Sequence, residues 1–325
     1  MKYQEQQEQQ EQPGQQGQST STSRISPELE EEVHDILNVM MKQSSTLYRK
    51  ASKKSQRHHH DSWRQPMLSW VCSIIDVFQL RHDILSITAY FLDKTVEEYS
   101  SFDCSLSPAN YQLVVLGALH LTIKNTETET FPLDQILKIS NSEFNCGHVA
   151  AMEREILKIL DWRLHPPTAE CFLQQYVRLL DVSEDLKNDI QKTVEHLIRV
   201  TVVNHQYSMW SPSVVAYAAI LLALEHGSQE QDLHNVVSLE AKRGFGQRMQ
   251  TIADMSRNTP HLVNIYSILK PFVGKDDILV KEESDEPSSF DTQCLNDALP
   301  DQDERPANHH SRDRLLQQEL VCVES

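Results

Sequence analysis

Glycine is scarce, with 8 in 325 residues, and β-branched alternation of the strand type is rare. Both absences favour an all-α fold over sheets and hairpins. No run of about 18 apolar residues occurs, which excludes a membrane-spanning helix. The six cysteines, Cys72, Cys104, Cys146, Cys171, Cys294 and Cys322, have no CxxC spacing, and no signal peptide precedes them. They are expected to be reduced thiols of the cytosol or nucleus, neither a disulfide frame nor a zinc site. Basic charge is also short, at 30 Lys and Arg against 47 Asp and Glu for a formal net charge of −17. That balance makes nucleic acid a poor partner. No phosphate loop, serine–histidine–aspartate order or metal-ligand cluster stands out, so no catalytic residue, no metal and no cofactor is expected.

What is present is a hydrophobic content of 39%, enough for a substantial core. The charge is uneven: from Lys275 to Glu324 there are 14 acidic and five basic residues, so −9 of the −17 lies there. Residues 1–25 form a glutamine-rich tail, and 273–325 an acidic one rich in Pro, Glu, Ser and Asp; both are expected to be disordered. Residues 26–62 hold one amphipathic helix, opened by Ser26-Pro27-Glu28 and carrying Val33, Ile36, Leu37, Met40 and Met41. The basic, histidine-rich linker RKASKKSQRHHH at 49–60 follows it. A metal-dependent enzyme built on His58, His59 and His60 has little else to support it.

Helical patterns then succeed one another in two sets, 63–165 and 166–272. The first set starts with a stripe of Trp63, Met67, Trp70, Val71, Ile74 and Phe78. It continues through His82–Glu97, Pro108–Lys124, Leu133–Ile139 and Gly147–Leu160. HPPT at 165–168 ends the run, because proline cannot continue a helix. The second set reads Ala169–Leu180, Glu184–His205, Pro212–His226, and two more near Phe245–Met255 and Pro260–Lys270. Ser107-Pro108 and Ser211-Pro212 each open an apolar helix with a small pair inside it, Gly117-Ala118 and Ala218-Ala219. Small residues let a central helix sit close to its neighbours. The expected fold is therefore all-α, two consecutive five-helix bundles.

Lys124 is the first charge after the apolar run LVVLGALHLTI. A helix apolar nearly all round is buried, so Lys124 stands where a buried rod reaches the surface. Local causes alone would put it there: its stem can snorkel, and its charge suits the negative end of the helix.

These segments resemble the cyclins. WRQPMLSWVCSIIDVFQL is similar to the opening helix of the cyclin box, AYFLDK to the second and LVVLGALHLTIK to the central one. MEREILKILDWRLHPPTAECFL resembles the fifth helix and the crossing into a second box. Five positions shared by cyclins are matched by Arg64, Asp93, Leu113, Lys124 and Glu153. The stretch TVVNHQYSMWSPSVVAYAAILLAL is most like the D-type, or G1, cyclins, and Ser69 is also closer to that pattern.

The resemblance implies a protein that is not an enzyme. It would be the regulatory subunit of a cyclin-dependent kinase, acting at the G1/S transition in nucleus and cytoplasm. Lys124 and Glu153 would border a groove and grip the backbone of the kinase. Arg64 and Asp93 would form a structural ion pair, with Leu113, Trp70 and Trp162 in the core. Trp63, Pro66 and Met67 replace the aliphatic patch that docks arginine–leucine motifs in mitotic cyclins, and Pro66 is expected to delay the start of its helix. Leu320, Cys322 and Glu324 make an LxCxE pattern like that which docks retinoblastoma-type pocket proteins. The alternative is a transcription-related regulator on the same fold that does not act through a cell-cycle kinase.

Overall fold

The computed structural model describes residues 25–48, 61–101, 106–128, 132–204, 210–226, 237–256, 259 and 261–275. The glutamine-rich tail to residue 24, the histidine-rich linker and everything from 276 onward lie outside the described residues. So do Leu320, Cys322 and Glu324, and His58, His59 and His60.

The described residues hold eleven α-helices and no strand. They are α1 (Pro27–Leu47), α2 (Asp61–Phe78), α3 (Asp83–Ser101), α4 (Pro108–Thr126), α5 (Leu133–Ile139), α6 (Cys146–Ile159), α7 (Ala169–Arg178), α8 (Glu184–Val203), α9 (Pro212–His226), α10 (Leu239–Ala253) and α11 (Leu262–Leu269). Helices α2–α6 make one bundle and α7–α11 a second, as expected. Local chemistry sets many of the starts. The hydroxyls of Ser26, Ser107, Ser183 and Ser238 each accept a backbone N–H of the first turn they precede. At α6, Asn145 and His148 cap each other reciprocally.

The two central helices are α4 and α9. Residues Val114 to Ile123 of α4 are all buried, as are Ala216, Tyr217, Ala218, Ala219 and Ile220 of α9. Gly117 is required by the packing: a Cβ there would lie 2.8 Å from Met152 Cγ on α6. The missing side chain is what allows α6 to lie directly on α4.

Helix α1 precedes the first bundle in sequence but packs on the second. Val33 and Leu37 are fully buried in the second core, and His34 Nδ1 donates to the carbonyl of Ile252 at 2.8 Å. Glu32 pairs with Arg178 and Glu30 with Arg248. The far end of α1 returns to the first bundle, where Tyr48 meets Tyr90 with ring centroids 5.1 Å apart. Leu47 and Tyr48 there pack on a small cluster containing Ile87, Phe91, Ala118, Leu121, Ile156 and Leu160.

Arg64 ties the bundles together. Its guanidinium donates to both carboxylate oxygens of Asp93, at 2.8 and 2.9 Å, in the two-pronged arrangement arginine favours. Nη1 donates to the carbonyls of Val202 and Val203 at the end of α8, at 2.7 and 3.3 Å. One buried cation thus satisfies a carboxylate of the first bundle and a helix end of the second.

Two expectations are corrected here. Trp162 is not in the core: it is 70% exposed. The chain leaves α6 through two left-handed residues, Asp161 (φ 51°) and Trp162 (φ 59°). That turn swings the indole outward while Leu160 is buried and Leu164 half-buried. Pro66 does not delay α2, which begins at Asp61 and runs through it. The proline forfeits the hydrogen bond to the carbonyl of residue 62 and crowds that carbonyl, yet the helix is continuous through it. Trp70 and Leu113 are half-buried and packed against the first core, at its margin.

Candidate functional site: the edge between α4 and α6

Lys124 ends the buried run of α4, in its last turn. Because Gly117 brings α6 close, the side chain meets Glu153, with Nζ 3.1 Å from Oε2 and 3.4 Å from Oε1. The two residues singled out by the resemblance therefore stand together. Their exposures differ: the Lys124 side chain is 54% exposed and that of Glu153 9%. The ammonium faces solvent while the carboxylate lies beneath it.

A third residue completes the group. His120, one turn before Lys124 on α4, places Nδ1 2.6 Å from Glu153 Oε1, and both residues are buried. Burial by itself raises the pKa of Glu153. The hydrogen bond and charge of His120, followed by the charge of Lys124, outweigh it and hold the carboxyl below its ordinary value. Glu153 is thus an ionised acceptor, and His120 must carry its proton on Nδ1 to donate to it. The reading of the sequence missed His120. The available signal was its place four residues before Lys124 in HLTIK, which puts both on one face.

The turn after α6 borders this edge. Asn125, next to Lys124, lies 3.5 Å from His165 through Nδ2 and Nδ1, so the 161–165 segment reaches the end of α4. That segment carries the exposed Trp162. Half-buried Leu157 and Leu164 lie near it in sequence. The edge thus presents an exposed cation with its counter-charge fixed underneath. Such an edge suits docking to backbone carbonyls, because the lysine has three donors and the carboxylate only two of its contacts. Among the described residues no group of three His, Cys, Asp or Glu could hold a metal, and no helix is long and apolar enough to cross a membrane.

The chain is thus two consecutive helical bundles, with the Lys124–Glu153 pair at the edge of the first. The family described as "Cyclin, N-terminal domain" matches residues 35–165, and "Cyclin, C-terminal domain" matches 167–268. The chain belongs to the cyclin family. Among known proteins it is similar to Cyclin-A1-3 of Oryza sativa subsp. japonica, 24% identical over 169 residues, which is 52% of this chain and 33% of that protein. The G2/mitotic-specific cyclin-1 of Medicago sativa subsp. varia is 24% identical over 194 residues, 59% of this chain and 43% of that one. The matched region thus spans about a third to two fifths of these relatives' length. A viral cyclin from herpesvirus saimiri has the same fold, with a TM-score of 0.54 at 13% identity, covering 77% of this chain and 98% of the viral one.

Proposed function

We propose that this cyclin binds a cyclin-dependent serine/threonine kinase and activates it without doing chemistry itself. The observation that carries this reading is the Lys124–Glu153 pair, set at an edge where the ammonium is open to a partner. A protein kinase is active when a lysine–glutamate pair and a metal-binding aspartate are aligned, which depends on the position of one helix. A rigid surface that binds the aligned form better shifts the population toward it. The differential affinity alone sets the size of that shift. Trp162, exposed in the turn after α6, offers a large apolar side chain to the same partner, and aromatic side chains of this kind dominate interface energies.

The test is co-purification of a kinase with the full chain, and the kinase's activity on a protein substrate. Lys124→Ala combined with Glu153→Ala abolishes both if the reading is right, and Trp162→Ala weakens both by roughly tenfold or more. Equal binding by the double variant and the unaltered chain overturns it.

On timing, Ser69 and the stretch from Thr201 to Leu224 support a D-type role in entry to the cycle. The relatives above carry A-type and mitotic names instead. Protein abundance in synchronised cells separates the two. A maximum before DNA replication supports the first, and one before mitosis the second.

A further inference from the structure

His120 lies in the middle of an apolar helix, where leucine would pack equally well by size, yet its ring is turned onto Glu153 at 2.6 Å. Its neighbour on the same face, Lys124, has a different environment: its side chain is 54% exposed, against 9–10% for Glu153 and His120. The lysine has room to move toward a partner. The carboxylate has none, and without a second donor, departure of the lysine would leave it buried and unpaired, a strongly disfavoured state. The geometry points to His120 as a positioning residue, which retains Glu153 through its Nδ1–H so that Lys124 is free to turn its ammonium onto a backbone carbonyl of the partner. This rests on the kinase-binding reading of the same edge and assigns its three side chains different tasks. Lys124 makes the contact and Glu153 holds the lysine at the rim in the free protein. His120 holds Glu153 in both states. An edge kept in its binding geometry before the partner arrives loses less on association.

Two independent readouts test the inference. The first needs no partner: the pKa of Glu153, followed by carboxyl carbon NMR in the full chain. His120→Leu removes the donor and moves Glu153 upward. His120→Asn keeps a donor near the Nδ1 position and leaves Glu153 low, while His120→Gln, whose amide reaches toward the Nε2 position, behaves like leucine. The second is affinity for a purified cyclin-dependent kinase. It falls by about tenfold or more for His120→Leu and His120→Gln and is restored in His120→Asn. Should the leucine variant not fold, the asparagine–glutamine pair gives the same comparison. An unmoved Glu153 in both the leucine and glutamine variants overturns the inference. So does unchanged affinity in these variants when Lys124→Ala abolishes binding, and the proposed function then stands. Affinity that is insensitive to Lys124→Ala overturns the proposed function instead, and the titration still decides whether His120 holds the carboxylate.

Discussion

Glu153 and Glu170 stand on successive helices, one at the edge between α4 and α6 and one at the seam between the bundles. Both are less than a tenth exposed, yet their charges are treated oppositely. Glu153 receives a histidine and a lysine and is held below its ordinary pKa despite burial. Glu170, in the first turn of α7, receives the hydroxyl of Ser86 from α3 at 2.6 Å. Burial dominates there and pushes it up to about 6, with Ser86, the helix backbone and Thr168 opposing and Asp83 adding slightly. Burial alone does not decide whether a carboxyl is charged; the donors around it do. The edge keeps a fixed charge, whereas the seam joins two bundles with a carboxyl that gives up its charge slightly below neutral pH.

The seam also holds a permanent charge, and removing its counter-ion breaks the comparison most severely. Asp93→Ala leaves the buried Arg64 guanidinium without this counter-charge. Urea unfolding is expected to show a loss of about 3 kcal/mol, at the lower end for a buried pair because the Asp93 side chain is 41% exposed. If the loss is within about 0.5 kcal/mol, Arg64 does not depend on the Asp93 carboxylate.

The next effect is a dependence on pH. Glu170 has a folded pKa raised above its unfolded value, so its stabilisation is complete below the ordinary carboxyl range and is lost as pH rises through about 6. Relative to Glu170→Gln, the unaltered chain should lose about 2 kcal/mol between pH 4.5 and pH 7.5 in thermal or urea unfolding. A constant difference across that range refutes the assignment. Glu153 predicts the reverse and a smaller effect. Its stabilisation is present above the ordinary carboxyl range and lost as pH falls through its lowered pKa. Glu153→Gln should therefore flatten the acid limb of the stability profile.

The smallest expected effect is at the Glu32–Arg178 pair, which spans α1 and the second bundle at the surface, with the glutamate side chain 57% exposed. Glu32→Ala should cost under about 1 kcal/mol and shrink further in high salt. A larger loss would mean that α1 is held by charge more than by Val33 and Leu37.

Much of the fold was legible because its signals are local. The bounds of Leu133–Ile139 and Pro212–His226 were read directly, since prolines and polar breaks delimit them. The start of α10 was placed six residues late, at Phe245. The opening turns LEAKRG carry a glycine and little apolar pattern, and the Ser238 cap went unnoticed. Arg64 with Asp93, and Lys124 with Glu153, came from likeness to a family, and the structure brings each pair within hydrogen-bonding distance. Trp162, read as core, and His120, not singled out at all, escaped the sequence for a common reason. A tryptophan after an apolar helix reads as core, and a histidine inside one carries no signal of its partner. Only the left-handed turn at 161–162 and the approach of α6 reverse those assignments.

The chain by itself determined where its helices start and stop and that they form two bundles. Caps, proline and the 3.6-residue period act within a turn or two of backbone. Tertiary structure alone decided that α1 leans on the second bundle, through a hydrogen bond 218 residues long in sequence from His34 to Ile252. It also decided which ring faces water and which donors hold Glu153. Burial and pairing are properties of neighbours in space, and the partners of Glu153 on α4 lie about thirty residues away, at 33 for His120 and 29 for Lys124.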